Sequence, residues 1–375
     1  MSDRPPSHAN ESAEQTELTA EEKEELIEAE IDALPISYSG QDFDVSGLVR
    51  RLDGDHILIP IFGHDDDRIS SEGFQRSFVW TRKQMDRFIE SLLLGYPIPG
   101  IFLVRQEDRR YLVLDGQQRL RTLRFFYSGI YGERVFSLQN VAAQFKGLTY
   151  ALLNEEQRRL LDDTFIPATI VSTDGSESSL EAVYQIFERL NSGGTPLTAH
   201  EIRVALYAGP FIDSLSELNN DDNWRAIYGK KSPRLRDQEL ILRIVALLFS
   251  TMPYEAPLKT FLNGFTALHR SSSDFLGGEP SRLFRRASAL IREASGFSLL
   301  RLQSTQLNSA LTEAVFVELM RLFQRGVERS SAQVSSAISQ MLDDTLFLQA
   351  VSRATANEDT VKRRLNIAAS ALMTV

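Results

Sequence analysis

Tyr111-Leu112-Val113-Leu114-Asp115-Gly116-Gln117-Gln118-Arg119-Leu120-Arg121-Thr122-Leu123 runs from an apolar strand, through a polar junction, into a helix. Tyr111 to Leu114 has the length and character of a buried strand. Leu120, Leu123 and Phe126 then fall on one helical face. Strand, Asp-Gly, helix is a recurrent phosphate-site geometry. The first N–H groups of a helix lack intrahelical partners, and the helix dipole is positive there. Gly116 lets the backbone approach a ligand, and Gln117 and Gln118 add amide donors. Arg119 adds a planar, permanently charged fork suited to phosphate oxygens. Asp115 would repel a bare phosphate; it becomes sensible if it holds a divalent cation or orients Arg119. A bland reading stands beside this one: Asp115 as an N-cap, Gly116 easing a turn, and the glutamines solvated. The run of five polar or glycine residues directly after a buried strand tips the balance, because α/β sheets place ligands there.

Working outward, Asp44 can cap a helix through Leu52, and Ile57 to Ile61 reads as a short strand. Thr81 opens a helix with Met85, Phe88, Ile89, Leu92 and Leu93 on one face and Gly95 as its stop. Ile101 to Val104 and Tyr111 to Leu114 pair as strands around a polar turn at 106–110. Asn154 starts a helix through Leu161, Phe165 to Val171 is strand-like, and Ser178 or Ser179 caps a helix through Leu190. Asn191 to Pro196 breaks the chain. Thr198 caps the next helix, with Glu201 completing a capping box. From there to Val375 the 3.6-residue apolar period dominates, clearest over 236–249, 308–323, 332–342 and 360–373. These patterns predict an α+β protein in three parts. Residues 1–35 form an acidic tail with a short helix from Thr19. Residues 36–195 form a mixed α/β domain, and residues 196–375 an all-helical one.

The chain has 375 residues, no cysteine, and a formal net charge of -10. The absence of cysteine removes disulfide and thiolate chemistry. The acidic balance argues against a globally basic nucleic-acid clamp. No stretch reaches the roughly 18 uncharged apolar residues of a membrane span, so a cytoplasmic protein without membrane partners is expected. The five histidines lack metal-ligand spacing, and there is no Walker A loop, GxSxG elbow or HExxH. Lys230-Lys231-Ser232-Pro233-Arg234 and Arg282, Arg285 and Arg286 read first as solvated surface. They are also the best candidates for nucleic-acid backbone contacts.

Four segments form an ordered set: FQRSFVW (74–80), LLLGYPIPGIFL (92–103), VLDGQQRLRTL (113–123) and FERLNSGGTPLTAHEIR (187–203). The set resembles the domain of unknown function 262 family, the N-terminal part of GmrSD-type restriction proteins, over roughly residues 40–210. The resemblance implies a ParB/sulfiredoxin-like fold for residues 36–195. It also implies a nucleoside triphosphate site built on Asp115, Gly116, Gln117, Gln118 and Arg119. Gln75 and Arg76 match the family's upstream pair, and Arg189 and Asn191 its downstream element. Asp115 would hold Mg²⁺ or position water. Many relatives carry a C-terminal HNH nuclease, but here no histidine follows His269, so cleavage is expected from a separately encoded nuclease. The expectation is an NTP-binding, NTP-hydrolysing regulatory subunit of a DNA restriction or antiphage system, with DNA as a further partner and room for a homo-oligomer. The rival is a non-enzymatic nucleotide- or DNA-binding switch or scaffold.

Overall fold

The computed structural model describes residues 36–59, 80–106, 108–190, 197–272, 275, 277–295, 298–302 and 306–375. The expected helix from Thr19, the segment with Gln75 and Arg76, and the break with Asn191 lie outside the described residues. The chain forms two compact units that meet in sequence at Leu197 and Thr198.

The first unit is built on a five-stranded mixed sheet. Its strands are β1 (Ser37–Asp44), β2 (Ile57–Leu58), β3 (Ile101–Arg105), β4 (Tyr111–Asp115) and β7 (Phe165–Ser172), in the order β1-β7-β3-β4-β2. A small hairpin pairs β5 (Ile130–Tyr131) with β6 (Arg134–Val135). β1 runs antiparallel to β7, β7 parallel to β3, and β3 antiparallel to β4. Helices α1 (Val45–Asp53), α2 (Arg82–Leu93), α3 (Gln117–Ser128) and α4 (Glu155–Asp162) bring Leu48, Ile89, Leu123 and Leu161 into one core with Ile101, Leu103, Val113 and Ile170 of the sheet. Val104, Leu112, Leu114 and Val171 are buried too, yet stand outside that core. They occupy the opposite face, where α5 (Glu177–Leu190) packs on β4.

Local chemistry starts most of these elements where the sequence predicts. Asp44 Oδ1 accepts from Gly47 N–H at 2.6 Å and caps α1. Thr81 with Gln84, and Asn154 with Gln157, form reciprocal capping boxes. Two details differ. Ser176, not Ser178 or Ser179, starts α5: its Oγ accepts from Ser179 N–H, and its carbonyl accepts from Leu180 N–H. β1 carries no strand reading in the sequence: its first six residues are all exposed and show no alternation.

The second unit is all helical: α6 (Ala199–Leu206), α7 (Pro210–Leu218), α8 (Asp222–Tyr228), α9 (Arg236–Phe249), α10 (Leu258–His269), α11 (Glu279–Ser295), α12 (Ser309–Gln324), α13 (Ser331–Asp343), α14 (Thr345–Ala350) and α15 (Glu358–Thr374). Its centre is α12, whose Leu311, Val315, Phe316 and Leu319 are fully buried. Charges are buried there as well. Glu313 accepts from Arg243 Nε at 3.0 Å and from Arg364 Nε at 3.0 Å, tying α9, α12 and α15 together. The basic clusters fare unevenly. Arg234 is buried and pairs with Glu201 at 3.1 Å; Arg286 pairs with Glu328 and stacks on Phe323. Arg285 lies 3.7 Å from both Glu217 and Asp221. The expectation of solvated arginines fails at Arg234 because a capping carboxylate lies beneath it. No helix among the described residues is long and apolar enough to cross a membrane.

Candidate functional site

The polar junction after β4 is shaped by a slip in strand pairing. Leu103 pairs with Val113 and Phe102 with Asp115, so Leu114 faces no partner on β3. Strict alternation from the buried Val113 would turn Asp115 into the core. The extra residue of a β-bulge resets that phase and re-aims the side chain. Asp115 therefore joins the row Gly40, Thr169, Phe102 across four strands. Its side chain is 48% exposed.

That row floors a cleft of about 610 Å³, lined by Gly40 to Asp42 of β1, Pro99 and Gly100, Phe102, Asp115, and Pro167 to Thr169. Two carboxylates, Asp42 and Asp115, share it with an aromatic ring and a threonine. Among the described residues, no lysine or arginine lines it. Close packing sets its shape. A Cβ at Gly100 would come within 2.9 Å of the Pro167 carbonyl oxygen.

Gly116 follows with φ +98°, a left-handed conformation that side chains disfavour. A Cβ there would also stand 2.5 Å from Ile101 Cγ2. Glycine is thus required by the protein's own packing, a requirement separate from ligand approach. Gly116 is the N-cap of α3, and no side chain caps the first turn, so Asp115 is not the N-cap the bland reading made it.

Arg119 points away from open solvent. Its Nη2 donates to Asp115 Oδ2 at 2.9 Å; its Nη1 donates to Gly100 O at 3.0 Å and to Pro99 O. The side chain is only 12% exposed. Burial pushes its pKa below the usual guanidinium range, and Asp115 opposes that effect. All three acceptors line the cleft, and Arg119 does not. Of the two roles open to Asp115, orienting Arg119 is realised in this geometry. Arg119 fixes the cleft wall from behind.

The remaining residues divide. Gln118 Oε1 accepts from Trp80 N–H at 3.3 Å, while Gln117 opens α3 half-buried. Arg189 is exposed in the last turn of α5. Gln75, Arg76 and Asn191 lie outside the described residues, so no geometry joins them to Asp115 here. Sequence reasoning missed Asp42, Phe102 and Thr169. The Pro97-Ile98-Pro99-Gly100 turn was a usable signal for the cleft wall. Asp42 offered none, since its place depends on the long-range pairing of β1 with β7.

A divalent cation finds partial accommodation. No cluster of three or more His, Cys, Asp or Glu suited to a metal occurs among the described residues. Asp115 Oδ1 is an oxygen donor in the cleft, whereas the Asp42 carboxylate lines it from β1, with β7 and β3 between them. One or two carboxylates suit Mg²⁺ that arrives with substrate phosphates and keeps several waters.

Residues 58–208 match the family described as GmrSD restriction endonuclease, N-terminal domain. No curated protein and no solved structure matches the chain.

Proposed function

Because residues 58–208 match the GmrSD restriction endonuclease N-terminal domain family, we propose that the chain binds a nucleoside triphosphate with Mg²⁺ in the Asp115 cleft and hydrolyses it. It does so as the regulatory subunit of a DNA restriction or antiphage system whose cutting is done by a separate nuclease. The observation that carries this reading is the bulge-aimed Asp115, half exposed at a strand–glycine–helix junction and facing one cleft with Asp42.

In this reading Asp115 would hold the cation, which would neutralise phosphate charge when bound, while Asp42 lines the far side of the cleft from β1. Phe102 and Pro167 give the base an apolar floor. The uncapped first turn of α3 directs N–H groups at phosphate oxygens, and the Gln117 amide orients the attacking water. Gln118 holds the Trp80 backbone, and Arg119 keeps Pro99, Gly100 and Asp115 in register. On the strength of the family resemblance, Gln75, Arg76, Arg189 and Asn191 are assigned to binding the nucleotide. Asp115→Asn should keep the fold and lose most phosphate release, with weaker Mg²⁺-dependent nucleotide binding by calorimetry. Unchanged binding and turnover in that variant would sink the site.

A binding-only switch is favoured by one observation. The Arg119 fork is committed to Asp115 and two carbonyls, and so is not poised to stabilise transition-state charge. Tight nucleotide binding without phosphate release would select that reading.

A further inference from the structure

β1 ends the five-stranded sheet, and among the described residues no strand pairs along its outer side. Its first six residues, Ser37 to Asp42, are exposed whichever face they point to. A Cβ built on Gly40 would meet nothing within 4 Å. Val45 N–H donates to Thr164 O at 3.0 Å, one step beyond the Asp44–Phe165 pair. Hydrogen-bonded pairs alternate along an antiparallel ladder. Phe43, Gln41, Ser39 and Ser37 therefore bond to β7, whereas Asp42, Gly40 and Tyr38 direct N–H and C=O outward. Pro167 agrees with this phase, since it stands opposite Asp42 and has no N–H to give.

We propose that this edge pairs with the same strand of a second copy of the chain, antiparallel about a two-fold axis at Gly40, so that Tyr38 of each copy completes the cleft of the other. Sheet edges that stay unpaired usually carry lysine, proline or a bulge. Residues 37–43 hold no lysine or proline, and their register with β7 runs unbroken. Setting Gly40 opposite Gly40 places Tyr38 opposite Asp42 at both ends, so the strand is complementary to itself. All three outward-facing residues then find partners, and no side chains collide on the axis. The two Asp42 carboxylates stand about 13 Å apart along the strands, beyond the Debye length of about 8 Å at physiological salt. Moving the axis toward Asp42 makes these carboxylates diagonal and then directly opposed, where like charges destabilise. Moving it toward Tyr38 carries Asp42 past the start of the other copy's β1.

Side chains alternate along a strand, so Tyr38 shares a face with Gly40 and Asp42, which line the cleft. Tyr38 is 73% exposed. Directly opposed residues of a hydrogen-bonded pair lie about 5.5 Å apart between Cα atoms. The second copy's phenol ring thus comes beside Asp42, on the open β1 side of the cleft. Its hydroxyl can donate to the Asp42 carboxylate, and its ring adds an aromatic wall of the kind on which bases stack. The shared cleft rests on the nucleotide reading, whereas the strand pairing does not.

Sedimentation velocity of the full chain over a concentration series, without nucleotide, tests the pairing. Wild type should sediment as a dimer that dissociates on dilution. Gly40→Pro removes the outward N–H on the axis while leaving the β7 ladder its bonds. It should be monomeric where wild type is dimeric. Tyr38→Asp opposes two carboxylates at each end and should weaken the dimer at least about tenfold. Adding Asp42→Lys to Tyr38→Asp should restore dimerisation, because a lysine and an aspartate then face each other. Asp115→Asn should dimerise like wild type, so the cleft assignment can fail while the pairing stands. A wild-type monomer throughout overturns the proposal. So does a dimer unchanged in Gly40→Pro or Tyr38→Asp, or a double variant no better than Tyr38→Asp alone. Matching thermal melts keep a loss of dimer attributable to the edge; if Gly40→Pro melts early, the exposed Tyr38→Asp and its double variant decide. Nucleotide affinity should rise as the dimer forms, and an affinity equal in monomer and dimer overturns the shared cleft.

Discussion

At the residue scale, Gly116 and Arg119 show how one short motif carries two kinds of constraint. Both were read from the sequence as ligand-facing. In the fold, Gly116 is fixed by its positive φ and by Ile101, and Arg119 by two backbone carbonyls and Asp115. Gly116→Ala should therefore destabilise the first unit even without ligand. The left-handed backbone costs about 1 kcal/mol and the clash with Ile101 about 1 to 3 more. A lower midpoint in urea, for protein without nucleotide, checks this. A neutral result would show that strand β3 yields to the added methyl. The charge and planarity of Arg119 were legible from its type. Its direction was not, because the Pro99 and Gly100 carbonyls reach it through a turn set by other elements.

At the element scale, α2 was legible in its apolar stripe and its Thr81 start, while the partners of its acidic residues were not. Asp86 and Glu90 interrupt the stripe in sequence yet are buried. Asp86 Oδ2 accepts from Gln139 N–H at 3.1 Å, Asn140 N–H at 2.9 Å and Asn140 Nδ2 at 2.7 Å, while Oδ1 accepts from Arg82 Nε at 3.0 Å. Glu90 takes the Ala142 N–H at 2.6 Å. The helix thus acts as the clamp for the 137–142 loop. Asp86→Asn puts an amide donor among donors and removes charge-assisted bonds. Its expected cost is about 2 to 3 kcal/mol, read from chemical denaturation. An effect near zero would mean that the loop is held by Leu138 packing instead. β1 is the opposite case. Its exposed, non-alternating sequence gave little strand signal, and it becomes a strand because β7 offers an unpaired edge.

At the scale of the whole molecule, the helical unit hides charge that its periodic sequence does not announce. His200 is fully buried on α6, with Nδ1 3.2 Å from Arg203 Nη1. Burial first, and Arg203 second, hold its pKa well below the ordinary 6.5, against a smaller opposing hydrogen bond with Gln238. The unfolded chain therefore binds the proton more readily than the folded one. Stability is full above pH 6.5 and falls as the pH drops from there toward the depressed folded value. His269 acts in the same direction through burial alone. Thermal melts from about pH 7.5 to about pH 5 should show a flatter pH slope in His200→Gln than in wild type. Parallel slopes would remove His200 as a source of acid sensitivity.

The sequence by itself determined the α+β class, the helix starts at Asp44, Thr81, Asn154 and Thr198, and the strand–glycine–helix junction at Asp115. These depend on local geometry: capping side chains, apolar period and the conformational freedom of glycine. Residues 58–208 also match a restriction-endonuclease domain family by sequence. Only the tertiary structure decided which way those residues face. The bulge at Leu114 turns Asp115 into the cleft, strand pairing sets Asp42 on its far side from β1, and the Pro99–Gly100 turn draws Arg119 behind the wall. Arg234 goes inward and Lys230 outward for the same reason. Direction is set by partners distant in the chain, and a local pattern holds no record of them.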